Sequence, residues 1–299
     1  MRDVLLGVTL PQFTDDPEIL VGGARRAEEC GLDSIWAFDH LWPLSGGKQR
    51  PVFECWTALA WAAEATRTVR IGPLVTRSSL RHPVLLAKSA ATVGAIAQGR
   101  LIVALGSGDE ASRAENEAFG IPYWAEDDRI DQLASTATVL TRYLEGGTIA
   151  EASARFATVR ALPASPTPAP RPPVWLAGRS GDVLELTGRM ADGWNGWGGG
   201  PKRFAQDAAL VAEAAGDRSV ELSWGGIAIL GRDADAARAK LGSRNPAGYV
   251  VGGPTEVARR LGAMIEAGAR HVMITLPDAA DPEAYELLGG PVARELGLD

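Results

Sequence analysis

The chain has 299 residues, 46% hydrophobic and 22% charged, with a net charge of −7, figures that exclude disordered, collagen-like and small disulfide-stapled classes and leave room for a large buried core. The acidic balance argues against a nucleic-acid partner, because counterion release needs a basic surface. Cys30 and Cys55 are too few to staple the fold or build a metal cluster, and no run of about 18 apolar residues marks a membrane span, so a cytoplasmic protein with no metal site and no membrane contact is expected.

Short apolar runs alternate with longer helical patterns from end to end, as in parallel β/α architectures. Eight runs stand out, at residues 4–10, 33–38, 70–76, 101–105, 174–177, 192–195, 220–230 and 271–276. After the fourth, Ile130, Leu133, Ala137, Leu140 and Leu144 share one helical stripe that must face a sheet. The gap before the fifth run is too long for one helix, which predicts an insertion at about 145–173. Its proline-rich tail cannot donate regular ladder hydrogen bonds and should run extended, as a semi-rigid approach to the fifth strand or as a lid. Near the end, Gly253-Pro254-Thr255-Glu256 opens a helix buried through Val257, Leu261 and Ile265 and closed by Gly268. Eight strands with following helices suit a closed (β/α)8 TIM barrel formed by the whole chain as one domain, with its active site at the carboxyl ends of the strands. An open doubly wound sheet is the competing topology.

On that strand map His40 follows the second strand at the catalytic face, beside Asp39, where an imidazole is suited to proton transfer near neutral pH. His271 falls at the opposite end of the eighth strand, and His82 precedes Pro83 at a helix start. The fourth strand ends in Gly106-Ser107-Gly108-Asp109-Glu110-Ala111, formally a dinucleotide fingerprint. Its context favours another role, in which the glycines admit a planar ligand to the backbone and Asp109 or Glu110 offers a carboxylate. After the fifth strand, Ala177-Gly178-Arg179-Ser180-Gly181-Asp182 makes a phosphate cradle or a plain helix cap. Trp194 and Trp197 among glycines after the sixth strand are candidates to wall a pocket for a flat ring or to pack in the core. Arg77 and Arg81, after the third strand, could receive an anion.

Asp33-Ser34-Ile35-Trp36 with Asp39-His40-Leu41, Gly72-Pro73-Leu74-Val75-Thr76 with Arg81-His82-Pro83, Gly99-Arg100-Leu101 with Gly106-Ser107-Gly108, and Ala191-Asp192-Gly193-Trp194-Asn195 resemble the bacterial luciferase-like flavin and deazaflavin oxidoreductases, in order and spacing over nearly the whole chain. The resemblance is strongest to the branch using coenzyme F420, a deazaflavin hydride carrier, with FMN as the alternative. It implies a barrel whose carboxyl-end face holds the ring, lined by Asp39, Leu74, Val75, Thr76, Ser107, Gly108, Ala177, Gly178, Arg179, Ser180 and Gly181, with the cofactor phosphate near the turn after the fifth strand. It also implies a non-proline cis peptide near Leu74 and Val75, His40 as proton donor or acceptor, and dimerisation through barrel helices. Asp109 is a second candidate acid–base group, although it stands where the family's sugar-phosphate dehydrogenases carry a glutamate. Trp42 likewise follows His40 more closely than the family tryptophan does. Both departures argue against that substrate.

The expected function is therefore F420-dependent hydride exchange with a small organic substrate, His40 moving the proton. Its rivals are an FMN-dependent monooxygenase fed by a partner reductase, a non-catalytic cofactor-binding paralogue, and a dehydrogenase binding NAD(P) at Gly106–Ala111.

Overall fold

The computed structural model describes residues 3–43, 47–146, 148–154, 157–277 and 280–298, those between 148 and 162 by backbone alone. Its strands are β1 Leu5–Thr9, β2 Ser34–Ala37, β3 Arg70–Pro73, β4 Thr76–Arg77, β5 Val103–Gly106, β6 Thr148–Ala154, β7 Ala157–Pro163, β8 Val174–Ala177, β9 Gly193–Trp197, β10 Glu221–Leu230, β11 Tyr249–Gly252 and β12 His271–Thr275. The order β3-β2-β1-β12-β10-β9-β8-β5-β4 is parallel throughout. A parallel bridge between Ile71 and Leu101 joins its two ends. The sheet is therefore a barrel of eight positions, the third shared by β3 and β4. This closure excludes the open doubly wound sheet. Between β3 and β4 the Leu74-Val75 peptide is cis, at the site the family resemblance implied.

The two-residue period of the strands sorts side chains between two cores. Trp36, Ala104, Trp175 and Met273 point inward and fill the barrel with Leu74 and Ile102. Ile35, Val103, Leu105, Leu176, Val272 and Ile274 point outward against the helices. Inside the barrel the Trp36 and Trp175 rings stack with centroids 5.7 Å apart. Fully buried His271 begins β12, with Nε2 2.7 Å from the Ser34 hydroxyl, which accepts in turn from Trp36 Nε1 at 2.7 Å. Burial pulls the His271 pKa below its ordinary value against the opposing effect of Glu221. A neutral, hydrogen-bonded histidine thus helps plug the amino end of the barrel, as its place in the sequence suggested, and an open site is left to the carboxyl end.

The predicted stripe lies on the helix Glu126–Leu144, where Leu133, Ala137, Leu140 and Leu144 are buried and Ile130 packs beside them. The helix Pro254–Glu266 starts at Gly253 and buries Val257 and Leu261, and Gly268 takes a φ of 109° just beyond it. Within the predicted insertion, β6 and β7 pair as an antiparallel hairpin. The tail that follows is tied down: the Tyr143 hydroxyl donates to Ser165 O at 2.9 Å, and both Arg171 Nη atoms donate to the Asp192 carboxylate at 2.9 Å. Asp192 precedes β9, so the tail is anchored at the amino end of the barrel and acts as an approach to β8, away from the carboxyl-end mouth. The short β11 pairs with the upper half of β10 off the barrel path. Among the described residues no helix is long and apolar enough to cross a membrane.

Candidate active site

A cavity of about 490 Å³ opens at the carboxyl ends of the barrel strands. The strand period aims Gly106, Ala177, Asn195 and Thr275 into it, and the following turns add His40, Ser107, Gly108, Asp109, Gly178 and Arg179. Leu74 and Val75 line it from the cis bulge. Most of the residues expected from the sequence therefore meet in one space. Asp39 and Thr76 lie beneath it, 2% and 0% exposed, while Ser180 and Gly181 begin the helix Gly181–Met190 outside its lining.

Asp39 acts as a clamp. Its carboxylate accepts from the Thr76 hydroxyl at 2.6 Å and from Arg77 N at 3.1 Å, and Arg81 grips it with two nitrogens at 2.6 and 2.9 Å. Burial lowers the Arg81 pKa, but its bonds to Asp39 and the nearby Glu54 carboxylate hold it above the ordinary arginine value. Arg81, a candidate for binding an anionic ligand, is thus committed to protein carboxylates and fixes the loop that carries His40.

One residue missed from the sequence is Glu115, completely buried on the helix Arg113–Ala118. Its Oε1 accepts from the backbone N–H groups of Leu41 and, at 3.1 Å, Trp42. Its Oε2 lies 3.0 Å from His40 Nδ1 and 2.8 Å from Arg77 Nη2. Burial pushes the Glu115 carboxyl up, yet the His40 hydrogen bond, the Arg77 charge and the Leu41 N–H together hold it below the ordinary carboxylate value. An ionised Glu115 can only accept, so Nδ1 carries the hydrogen of the neutral imidazole. The lone pair of Nε2 is then free to take a proton, and the cavity is where His40 is partly exposed.

Aromatic rings form the wall beside His40. Phe38 stands 6.0 Å from Phe13 and meets Trp197 edge-on at 5.8 Å between centroids. The two tryptophans of the sixth barrel strand part company: Trp197 lines the cavity with Asn195, while Trp194 points outward and stacks on Phe204 at 5.0 Å. On the opposite side Gly108 and Gly178 take φ values of 78° and 147°, which lets the turns after β5 and β8 bring backbone to the cavity edge. Arg179 donates from Nε to Asp207 at 2.7 Å and from Nη1 to Gly198 O at 3.1 Å, and its buried Nη2 has no partner among the described residues. Ser180 caps the adjacent helix without a side-chain bond, leaving the first-turn N–H groups for another acceptor. Apolar walls, close backbone and a helix start beside an arginine fit a flat ring with an anionic tail. Asp109 lines the same cavity, although its Oδ1 already accepts from Ser112 N and Oγ at 3.1 and 2.9 Å. Gly106–Ala111 leads into a short 3-10 turn and the six-residue helix Arg113–Ala118, unlike the first helix of a dinucleotide fold. Among the described residues no group of three or more His, Cys, Asp or Glu side chains could hold a metal ion.

Residues 6–250 match the family model of luciferase-like monooxygenases. The chain is 31% identical to an F420-dependent hydroxymycolic acid dehydrogenase of Mycobacterium tuberculosis, over 85% of this chain and 71% of that protein. It is 28% identical to an F420-dependent glucose-6-phosphate dehydrogenase of Beutenbergia cavernae, over 77% of this chain and 68% of that one. Among solved structures, an F420-dependent secondary alcohol dehydrogenase in complex with an F420-acetone adduct superposes with a TM-score of 0.85 at 19% identity, covering 99% of both chains.

Proposed function

The chain belongs to the luciferase-like monooxygenase family, and from that premise we propose that it is a coenzyme F420-dependent oxidoreductase acting on a small organic substrate, with His40 moving the proton. The observation that carries this reading is the convergence of His40 and the glycine turns after β5 and β8 on one cavity. The F420-dependent relatives favour the deazaflavin over FMN.

When bound, coenzyme F420 would supply a carbon that takes or gives a hydride. Leu74 and Val75 would back the ring, and Ser107, Gly108, Ala177 and Gly178 would hold its edge through close backbone. Arg179 with the N–H groups at Ser180 and Gly181 would hold the phosphate, while Asp39 and Thr76 would support the ring site from below. His40 Nε2 accepts the hydroxyl proton of an alcohol as the carbonyl forms and returns one in the reduction direction. Glu115 keeps that lone pair presented by holding the hydrogen on Nδ1. Asp109 is a second acid–base candidate among the polar groups of the lining, and Phe13, Phe38 and Trp197 exclude water around the substrate.

Titrating the protein with oxidised F420 and, separately, with FMN tests the cofactor. Saturable F420 binding with no measurable FMN binding is expected. FMN binding without F420 binding would instead favour a monooxygenase served by a reductase.

We also propose a homodimer. Trp61 and Leu85 are 40% and 57% exposed on the helices Cys55–Ala65 and Pro83–Ala97, which pack side by side outside the barrel. Covering what remains exposed of two such side chains contributes about half of the roughly 1.5–3 kcal/mol that full burial of each would give. Sedimentation should report twice the 31.5 kDa chain mass, and a monomer at micromolar concentration would contradict the proposal.

A further inference from the structure

Three arginines line the cavity, Arg50, Arg77 and Arg179. Two are paired: Arg77 with Glu115 at 2.8 Å, and Arg179 with Asp207 at 2.7 Å, an aspartate that also binds Arg203 at 2.8 Å. Arg50 makes no ion pair among the described residues. It belongs to the same loop as His40, which runs from Phe38 to Glu54 and carries Lys48 and Arg50 beside two acids, Asp39 and Glu54, that both bind Arg81. Lys48 sits over the Trp42 ring, 4.0 Å from its centroid, leaving Arg50 as the cation of the loop that reaches the cavity. A cation left without an ion-pair partner at the cavity edge draws anions to the mouth.

The cofactor's own anionic end has a separate place. Arg179 follows β8 and Arg50 follows β2. Around the closed sheet these strands are separated by β1, β12, β10 and β9 in one direction and by β3, β4 and β5 in the other. A cofactor whose phosphate lies at Arg179 therefore leaves Arg50 facing whatever molecule stacks beside His40. The rest of that side is uncharged, since Phe13 and Phe38 form its wall and the tips of β10 and β12 contribute Ile227 and Thr275. Asp109, the other ionisable group in the lining besides His40 and the arginines, follows β5 and repels an anion toward Arg50.

Resting on the oxidoreductase reading above, we propose that the substrate is a hydroxy or oxo compound with an apolar body and a carboxylate, the body packed on Phe13 and Phe38 and the carboxylate held by Arg50. In the oxidation direction the carbinol C–H bond breaks, its hydrogen leaving as hydride for the oxidised deazaflavin. The hydroxyl proton passes to His40 Nε2, the carbon–oxygen double bond forms, and the carboxylate is unchanged.

The test uses phenylacetate and its uncharged counterpart phenylacetamide as non-reacting probes, titrated by calorimetry into the F420-loaded protein. Phenylacetate should bind about tenfold more tightly than the amide, the effect of one charge-assisted contact, with the preference shrinking as salt is raised. Arg50→Ala should bring the two probes to equal affinity while leaving amide and F420 affinities unchanged, and Arg50→Lys should keep part of the preference. Equal binding of the probes to the unaltered protein, or no saturable binding of either, overturns the proposal. So does a loss of F420 affinity in Arg50→Ala as large as the loss of phenylacetate, which would assign Arg50 to the cofactor. Failure of F420 to bind at all would sink the cofactor reading instead.

Discussion

Replacing His40 with alanine should lower kcat/KM by about 10²–10⁴, the usual contribution of a positioned acid–base group, while F420 affinity stays close to that of the unaltered protein. The expectation follows from geometry. His40 is held by a loop that Asp39 ties to Thr76, Arg77 and Arg81, and its ring is anchored through Nδ1 to Glu115, so Nε2 is the atom free to act. The side chain is 18% exposed, and its buried partner Glu115 keeps its bonds to Leu41, Trp42 and Arg77, so the loss of His40 should leave the fold intact. Turnover by the alanine variant equal to that of the parent, with a confirmed substrate, would remove the proton-transfer role from His40.

The second large effect is expected at Glu115, through its charge and its two distinct oxygens. In Glu115→Gln one oxygen is replaced by an N–H2 group. If the remaining oxygen serves Leu41 and Trp42, the new N–H2 faces His40 Nδ1 and Arg77. The imidazole then has to accept at Nδ1 and carry its hydrogen on Nε2, the wrong form for a base. Activity should fall by about 10²-fold or more, within the range for losing an acid–base group, and nitrogen NMR should report the tautomer reversed. Removing one member of a buried pair also leaves Arg77 uncompensated, at a cost of about 3–5 kcal/mol in stability. The pH dependence has a definite sign. Because the folded-state pKa of Glu115 is lowered from 4.5, its contribution is present above that value and lost as pH falls toward the lowered one. The Gln variant should therefore be less stable at neutral pH and lose less on acidification. Unchanged His40 tautomer and unchanged activity in a folded Glu115→Gln protein would show that Glu115 only supports the loop.

Local pattern carried the barrel. The strand runs and the 130–144 stripe needed only periodicity, and the glycines of 106–108 and 178–181 stood where strands end. Trp194 and Trp197 were separable too, because an odd spacing places them on opposite faces of a strand, with Asn195 on the side of Trp197. Glu115 was not legible. It lies 75 residues from His40, in a stretch whose charges resemble a solvated face, and only barrel closure buries it beside the loop after β2. The same holds for Phe13 and Arg50, whose loops reach the cavity from strands one and two. The β6–β7 hairpin could be foreseen as inserted chain but not as paired strands, and β11 is too short to show a period. Arg81 looked available because its partner Asp39 was expected at the ligand, whereas the two bind each other.

A crystal structure of the protein soaked with oxidised F420 tests the central geometry most directly. The ring is expected in the cavity between the Leu74–Val75 bulge and the aromatic wall, its phosphate at Arg179 and the start of the helix Gly181–Met190, with His40 Nε2 facing the ring's open side. A cofactor seated away from this cavity, or one whose ring turns its closed side to His40, would contradict it.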